Sequence, residues 1–344
     1  MTAASKIRNM EEFAAVIGIS RPTVSKYFND PDSVRHTTRA KIEAALEQYD
    51  YRPNVYAINQ NRTRTKNIGL VVPNLTDPFF AAIARIIEGL IVEAGYNPLL
   101  LSSHGGPEQE IANLDSLRAI KPAGVLIAPL GRASKAEAVA SFAAEIPVVL
   151  FDANLEDVGA AFFGSDNAQS IGLIVDYLSR SGDAPAFFEM EFPVNPNAYR
   201  RRKAYEDAMG RLGKTPMFLR VPGSGWDFEE IGYREGLKLF SGSALPSQTI
   251  LCSNDRLAIG LLAAAYESGL RVGIGETDDL RIAGHDDHPF ARYTCPGLTT
   301  ISQDYSTIGA RSVAALLGML ESGERPESRE MRLFEGRLVM RASA

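Results

Sequence analysis

The first fifty residues carry apolar positions at helical spacing. Between Met10 and Ile17 these positions recur every three or four residues, as on the buried face of an α-helix. Asn9 precedes the run as an N-cap, and Glu12 reaches back to it in the pattern of a capping box. Gly18 supplies the stop that commonly ends a helix. The pattern predicts one short helix here.

Two further helices follow the first. Ser20 can cap a second helix over residues 21–28, where Pro22 is tolerated because the first turn does not need its N–H. A third helix is expected to begin near Thr37 or Thr38. Its predicted buried face consists of Ile42, Ala45, Leu46 and Tyr49. Two short helices joined by a tight turn and braced by a third form a helix-turn-helix unit.

From Asn67 onward, short apolar runs alternate with longer helical segments. The runs that predict strands are 68–72, 98–101, 124–128, 148–151, 186–190, 217–221, 249–253 and 280–283. The helical segments between them include 79–94, 109–120, 168–181, 199–212, 228–240 and 255–268. Repeated strand-helix-strand units predict parallel sheets covered by helices. We therefore expect an α/β body of two Rossmann-like lobes with a cleft between them, preceded by a small all-α headpiece.

Charge is divided unevenly between these two parts. Residues 1–66 hold 11 Lys and Arg against 7 Asp and Glu, whereas the rest of the chain holds 25 against 35. A basic head on an acidic body indicates that only the head meets a polyanion.

The start of the chain and its cysteines indicate a cytoplasmic protein. The N-terminal segment lacks the apolar core of a signal peptide, and no apolar run reaches the roughly 18 residues needed to cross a membrane. Cys252 and Cys295 are too few for a disulfide framework. Both are expected to be small packed side chains in a reducing compartment.

Motifs for catalysis and cofactor binding are missing from the sequence. The G-x-G at 273–275 lacks a third glycine and follows a helix, and neither a GxxxxGK[ST] loop nor a G-x-S-x-G elbow occurs. His285 to His288 have metal-binding chemistry, but no further ligand spacing supports a site. We predict no enzyme, no cofactor and no bound metal.

The second helix has an unusual polar face for its length. It carries Arg21, Thr23, Ser25 and Lys26. Such side chains suit the major groove of DNA, where Arg and Lys recognise guanine and hydroxyls bind phosphate. The alternative is a three-helix bundle with an ordinary basic surface. The helical pattern alone leaves both interpretations open.

Residues 10–57 resemble the headpiece of the LacI/GalR repressor family over their whole length. The landmarks are Ala14, Gly18, Ser20, Thr23, Val24, Ser25, Asn29, Val34, Thr38, Arg39, Ala44, Tyr51, Pro53, Asn54 and Ala57. The resemblance implies that Arg21, Pro22 and Lys26 contact bases. It places near the phosphates Thr23, Ser25, Asn29, Arg35, Thr38 and Asn54. The full predicted DNA-contacting set is Arg21, Pro22, Thr23, Ser25, Lys26, Asn29, Arg35, Thr38, Asn54, Ala57 and Gln60.

The stretch from Asn54 to Arg62 corresponds to the family's hinge, which becomes a short helix when a dimer sits on its operator. Gln60 stands where the family usually has a Leu that wedges into the minor groove. An amide must lose water to enter that groove unless it finds acceptors there, so either Gln60 reads a base edge or the hinge bends DNA less. We favour the second outcome, because the minor groove offers little for an amide to discriminate.

The body resembles the effector core of the same family and its relatives, the sugar-binding periplasmic proteins. The matching motifs are Asp77 to Phe80, Arg201 to Tyr205, Ser253 to Asp255, Gly284 to Asp287 and Pro296 to Ile301. These motifs lie at the carboxyl ends of strands, where α/β clefts bind ligands. The predicted effector-binding residues are Asp77, Phe79, Asp152, Arg201, Trp226, Asn254 and Asp286. Plainer interpretations remain open, with Asn254 as a helix cap, Phe79 as core and Trp226 as a loop anchor.

We predict a headpiece at residues 1–53, a hinge and linker at 54–66, and an effector-binding and dimerisation core at 67–344. The core is expected to cross between its lobes near residues 164, 292 and 323. One lobe would then join 67–164 to 293–323, and the other 165–292 to 324–340.

The leading hypothesis is a sugar-responsive transcriptional regulator, a repressor that binds a palindromic double-stranded operator as a homodimer. A small carbohydrate-like effector between the lobes would release it, and no membrane is involved. No heptad repeat follows Val339, so we expect a dimer rather than a tetramer. The alternative is a carbohydrate-binding protein or enzyme whose headpiece serves only assembly. Binding to a specific operator at physiological salt distinguishes the two.

Overall fold

The computed structural model describes residues 7–29, 31–49, 51, 65–242 and 245–344. The chain divides into two compact units, residues 1–65 and residues 66–344. The predicted hinge falls almost entirely between the described parts of these units. The bounds of the hinge therefore stay a prediction.

The described part of the headpiece unit contains three α-helices around a small apolar core. The helices are α1 (Met10–Ile17), α2 (Arg21–Asn29) and α3 (His36–Tyr49), with a short 3₁₀ helix at Pro31–Ser33. The buried core consists of Phe13, Ala14, Ile17, Val24, Ile42, Ala45 and Tyr51. The predicted helix-turn-helix arrangement is confirmed.

The start and end of α1 follow the sequence pattern with one difference. Asn9 caps the helix, because its Oδ1 accepts from the Glu12 N–H at 2.8 Å, and Gly18 ends it at a φ of 63°. The Glu12 carboxylate accepts from the Arg8 N–H at 2.8 Å. The predicted capping box is therefore wrong in its return bond, which falls one residue before the N-cap.

The second unit alternates strands and helices. Its strands are β1 (Asn67–Val72), β2 (Asn97–Ser102), β3 (Gly124–Ile127), β4 (Val148–Phe151), β5 (Ala161–Ser165), β6 (Ala186–Met190), β7 (Phe218–Val221), β8 (Thr249–Cys252), β9 (Arg281–Ala283), β10 (Thr300–Ser302), β11 (Glu330–Phe334) and β12 (Arg337–Val339). Its α-helices are α4 (Pro78–Glu93), α5 (Pro107–Ile120), α6 (Ala136–Glu145), α7 (Asn167–Ser181), α8 (Ala198–Arg211), α9 (Phe228–Ser241), α10 (Asp255–Glu267) and α11 (Tyr305–Ser322).

Two parallel sheets form the two lobes of this unit. The first has the order β11-β5-β4-β3-β1-β2, and the second has the order β7-β6-β8-β9. Strands β3 and β4 are buried at every position, as expected when helices cover both faces of a parallel sheet. The predicted fold class, an α-helical headpiece before two Rossmann-like lobes, is confirmed.

The segment near residue 300 corrects one predicted crossing between the lobes. The Gly284 N–H donates to the Thr299 carbonyl and the Asp286 N–H to the Ile301 carbonyl, both at 2.9 Å. These bonds tie the segment to the end of β9, in the second lobe. The chain therefore crosses after β10 and not near residue 292.

The C-terminal strands correct the last crossing. Strand β11 pairs in parallel with β5 over Glu330 to Phe334, so this segment belongs to the first lobe. Strand β12 then pairs antiparallel with β10, and the Ile282 N–H donates to the Ser343 carbonyl at 2.9 Å. The return to the second lobe follows β11, not residue 323.

The two cysteines lie in different surroundings, and the described helices can be compared with the length of a membrane span. Cys252 is fully buried as expected, whereas Cys295 is exposed, which corrects the prediction that both are packed. Among the described residues, no helix is long and apolar enough to cross a membrane.

Candidate functional site

Helix α2 turns its apolar and polar residues to opposite sides. Val24 is fully buried in the headpiece core, whereas Arg21, Pro22 and Lys26 are exposed. Neither Arg21 nor Lys26 makes an ion pair with another described residue. The helix therefore presents two uncompensated cations to solvent, as a surface that meets a polyanion requires.

The other residues predicted to contact DNA differ in how exposed they are. Thr23 and Ser25 are half-buried, and the Thr23 hydroxyl lies 2.8 Å from the Ser20 hydroxyl at the start of α2. Arg35 is exposed and Thr38 is half-buried near the start of α3. Asn29 ends α2, and its side chain lies outside the described part of the chain, as do all of Asn54, Ala57 and Gln60.

The centre of the candidate effector site is Arg201, which α8 places between the lobes. Its side chain is only 3% exposed. Its Nη2 donates to Asp286 Oδ1 at 2.7 Å, its Nη1 to the Ser253 carbonyl at 2.8 Å and its Nε to Asn167 Oδ1 at 3.3 Å. Each partner follows a different strand, so the guanidinium joins three strand ends.

Asp286 accepts further hydrogen bonds that fix the same corner. Its Oδ1 accepts from Gln303 Nε2 at 2.7 Å and lies 3.0 Å from His285 Nδ1. Burial raises the pKa of Asp286, but Arg201 and His285 lower it by more, so the carboxylate stays charged. Burial lowers the pKa of His285 to about 4, which leaves its ring neutral.

Asp152 approaches from the first lobe, directly after β4. It holds a φ of 62°, and its Oδ1 accepts from Asn197 Nδ2 of the second lobe at 2.9 Å. Burial raises the pKa of Asp152 to about 7, the charge of Arg201 lowers it and that of Asp286 raises it. The two acids predicted on opposite lobes are therefore close enough to influence each other.

Asp77 has two roles at the start of α4. Its Oδ1 caps the helix by accepting from the Phe79 N–H at 3.0 Å, and its Oδ2 accepts from Arg256 Nη1 at 3.2 Å. Arg256 also binds both carboxylate oxygens of Glu229, at 2.7 and 2.6 Å. Burial raises the pKa of Asp77, and the charge of Asp286 raises it further. Arg256 thus forms an ion pair across the lobes.

The two predicted stacking residues lie in different surroundings. Trp226 is 9% exposed, and its indole nitrogen lies close to Gly105 of the first lobe. A Cβ added at Gly105 would lie only 2.4 Å from that nitrogen. Phe79 is half-buried and meets Tyr305 edge-on at 6.5 Å between ring centroids. Trp226 therefore lies at the boundary between the lobes, and Phe79 packs on α11.

Asn254 is a helix cap, as the plainer interpretation had it. Its Oδ1 accepts from the Leu257 N–H at 2.8 Å at the start of α10. The cap uses one of the two lone pairs of this oxygen and leaves the amide nitrogen free of any role in the cap. Its neighbour Asp255, which sequence reasoning passed over, is fully buried and accepts from the Thr300 hydroxyl at 2.6 Å.

Sequence reasoning missed the residues that connect the predicted ones. Asn197 and Arg256 each bind a predicted acid of the other lobe, and Gln303 binds Asp286. Arg256 had a usable signal, because it follows the predicted Asn-Asp helix start in sequence. Nothing local marks Asn197 or Gln303.

Comparison with known families matches both parts of the chain. Residues 9–54 match the model of bacterial regulatory proteins of the lacI family. Residues 162–344 match the model of the periplasmic binding protein-like domain. The chain belongs to the LacI family of bacterial regulatory proteins. It is a transcriptional regulator in which a DNA-binding headpiece is joined to a ligand-binding core.

Individual relatives agree with this assignment over nearly the whole chain. The ribose operon repressor of Escherichia coli (strain K12) is 26% identical over 90% of this chain and 92% of its own. The HTH-type transcriptional regulator PtxS of Pseudomonas aeruginosa is 27% identical over 97% of this chain and 95% of its own. The structure of the lac repressor dimer bound to operator and the anti-inducer ONPF has a TM-score of 0.80 and 24% identity, covering 98% of this chain and 99% of that one.

Proposed function

We propose that this LacI-family regulator is a cytoplasmic repressor that binds a palindromic operator as a homodimer. A small carbohydrate-like effector binds between the lobes of its core and releases the DNA. The observation that carries the proposal is the buried cluster around Arg201 at strand ends of the second lobe, together with Asp152 of the first lobe, which Asn197 binds across the cleft. The protein needs no catalytic step for this role.

Support for the DNA-binding half comes from the headpiece and from its relatives. Arg21 and Lys26 are exposed cations on the second helix of a helix-turn-helix unit, the helix that enters the major groove in this class of protein. The solved lac repressor is a dimer bound to its operator, and the Escherichia coli relative is named a repressor. A symmetric dimer needs two related half-sites.

Support for release by the effector comes from the contacts between the lobes. Asp77 with Arg256 and Asp152 with Asn197 join the two lobes directly. A ligand that inserts among these groups changes the balance between closed and open lobes only if it prefers one of them. We propose that the bound state disfavours the operator, so that the effector is an inducer.

The test begins with the operator, selected from genomic fragments with the full-length protein. The selected fragment is then used in gel shifts at physiological salt, with random DNA of equal length as control. Sugars and polyols are screened by thermal shift, because a ligand at a hundred times its Kd adds about 2.7 kcal/mol to stability. Failure to select any specific fragment contradicts the proposal, and tighter operator binding with ligand reverses the direction of control.

The headpiece gives a first quantitative prediction. Arg21→Ala or Lys26→Ala is expected to cost about 1–3 kcal/mol in operator binding and much less on random DNA, because each removes a base contact. Fluorescence anisotropy measures both affinities at one salt concentration. Lys41→Ala, an exposed lysine on α3, is the matched control and is expected to change the two affinities equally. Equal losses for Arg21→Ala on both DNAs would assign that residue to phosphate.

A further inference from the structure

Both guanidinium groups at the cleft are already neutralised by carboxylates. Arg201 pairs with Asp286 at 2.7 Å. Arg256 pairs with Glu229 at 2.6 Å and with Asp77 at 3.2 Å. Guanidinium groups are the usual protein partners of ligand phosphates and carboxylates. An anionic group on a ligand would have to displace an acid of the protein itself to reach either of them.

Two further acids of the cleft form no direct ion pair with a described residue. Asp152 accepts from Asn197 Nδ2, and Asp255 accepts from the Thr300 hydroxyl and the His288 N–H. Neither carboxylate forms an ion pair within the described part of the chain. Burial raises the pKa of each to about 7. A negative charge on a ligand, placed beside these two carboxylates, would raise the free energy of their ionised forms further.

The other basic groups nearby do not reverse this balance. Arg200 is exposed, so solvent and salt screen its charge. The Arg132 guanidinium stacks on the Tyr199 ring at 4.6 Å from its centroid, beside the cleft. Burial lowers the pKa of His288, as it does for His285, so neither ring adds positive charge at neutral pH.

Neutral hydrogen-bonding groups, in contrast, are left unsatisfied at the lobe boundary. Trp226 Nε1, Asn197 Oδ1 and Ser103 Oγ are buried and have no hydrogen-bond partner among the described residues. Trp226 and Asn197 face the first lobe, and Ser103 directly follows β2. Buried polar groups of this kind are normally paired, because leaving one unpaired is costly once it has lost its water. One donor, one acceptor and one hydroxyl match the hydroxyl groups of an uncharged ligand.

We propose that the effector carries no anionic group. It is an uncharged polyhydroxylated molecule, such as a neutral sugar or polyol, and not a sugar phosphate or sugar acid. This inference rests on the proposed function of the same cleft. Its basis is the surplus of carboxylates over cations, together with the neutral donors and acceptors that remain unpaired.

A panel of matched ligands tests the charge class. The full-length protein is mixed with ribose, glucose and galactose, and with the phosphate ester and the aldonic acid of each. Thermal shift and release of the selected operator are both measured. We expect any scaffold that binds to do so as the neutral sugar, with its anionic forms at least about 100-fold weaker. A phosphate or acid that binds more tightly than its neutral parent would overturn the inference.

A second arm uses inorganic phosphate and needs no knowledge of the effector. Potassium phosphate is compared with potassium chloride at equal ionic strength. We expect no selective stabilisation of the wild-type core. Asp286→Asn should gain a phosphate-dependent thermal shift, because Arg201 loses its acid, and Asp286→Asn with Arg201→Ala should lose that shift again.

The two arms separate failure of the inference from failure of the proposed function. Selective stabilisation of wild type by phosphate that disappears in Arg201→Ala would overturn the inference, whatever the sugars do. Absence of binding by every sugar, with phosphate behaving as expected, would instead count against a carbohydrate-like effector.

Discussion

Replacing Arg201 by alanine is expected to abolish the response to the effector and to lower the free energy of unfolding by about 3 kcal/mol. The guanidinium holds Asp286, the Ser253 carbonyl and Asn167 together, so its loss leaves a buried carboxylate without its cation. Removing one partner of a buried pair costs about 3–5 kcal/mol, and the 17% exposure of the Asp286 side chain favours the lower end.

The measurement uses urea unfolding for stability and operator release for function. Arg201→Lys keeps the charge but not the planar fork, so it should fold and still respond poorly. Arg200→Ala removes the exposed neighbour and is the matched control for the loss of an arginine from α8. An Arg201→Lys protein that releases the operator at the wild-type ligand concentration would remove Arg201 from the effector site.

The elements that sequence predicted well are those with a strong local signal. Asn9 and Gly18 bound α1 through short-range hydrogen bonds, and the eight predicted apolar runs all became strands. Strands β10, β11 and β12 lie outside these runs, and β5 was missed although the segment from Ala161 to Ser165 is fully buried. Its short apolar run lies directly after a loop and beside a helix start, where periodicity over five residues cannot separate strand from connection.

The candidate site shows a second limit on what the sequence predicts. The residues predicted from the family's motifs do converge in part, since Arg201 binds Asp286 and both Asp77 and Asp152 are influenced by that acid. The pairing of Asp77 with Arg256 could not be predicted, because the two residues are 179 positions apart and meet only after the lobes are assembled. The crossings between lobes were misplaced for the same reason. The pairing of β11 with β5, and its register, depend on contacts between segments far apart in the sequence, which no local pattern encodes.

A second large effect is expected at Asp152, where Asp152→Asn should stabilise the protein above neutral pH. The pKa of this carboxyl is raised by burial from 3.8 to about 7, with Arg201 and Arg200 opposing and Asp286 and Asp77 reinforcing the rise. A raised pKa means that the folded state binds the proton more tightly than the unfolded state. The stabilisation that comes from this tighter proton binding is complete at pH values below the pKa of the unfolded state. It is lost as the pH rises through the pKa of the folded state.

Asparagine resembles the protonated acid, so it removes this loss without altering the backbone. Asn tolerates the positive φ of 62° at this position, and its carbonyl can accept from Asn197 as Asp152 does. We expect a gain in the free energy of unfolding that approaches about 4 kcal/mol near pH 8 and vanishes near pH 4. Urea unfolding of both proteins across this range measures it.

The pH dependence is what separates this cause from ordinary repacking. A better-packed side chain would stabilise the protein equally at all pH values, because its contacts do not titrate. Glu156→Gln removes an exposed acid from the loop between β4 and β5, the same loop that holds Asp152. It controls for the loss of one negative charge and should change stability little. A difference between Asp152→Asn and wild type that stays constant from acid to alkaline pH would show that folding does not shift the pKa of Asp152 and that the substitution acts through packing.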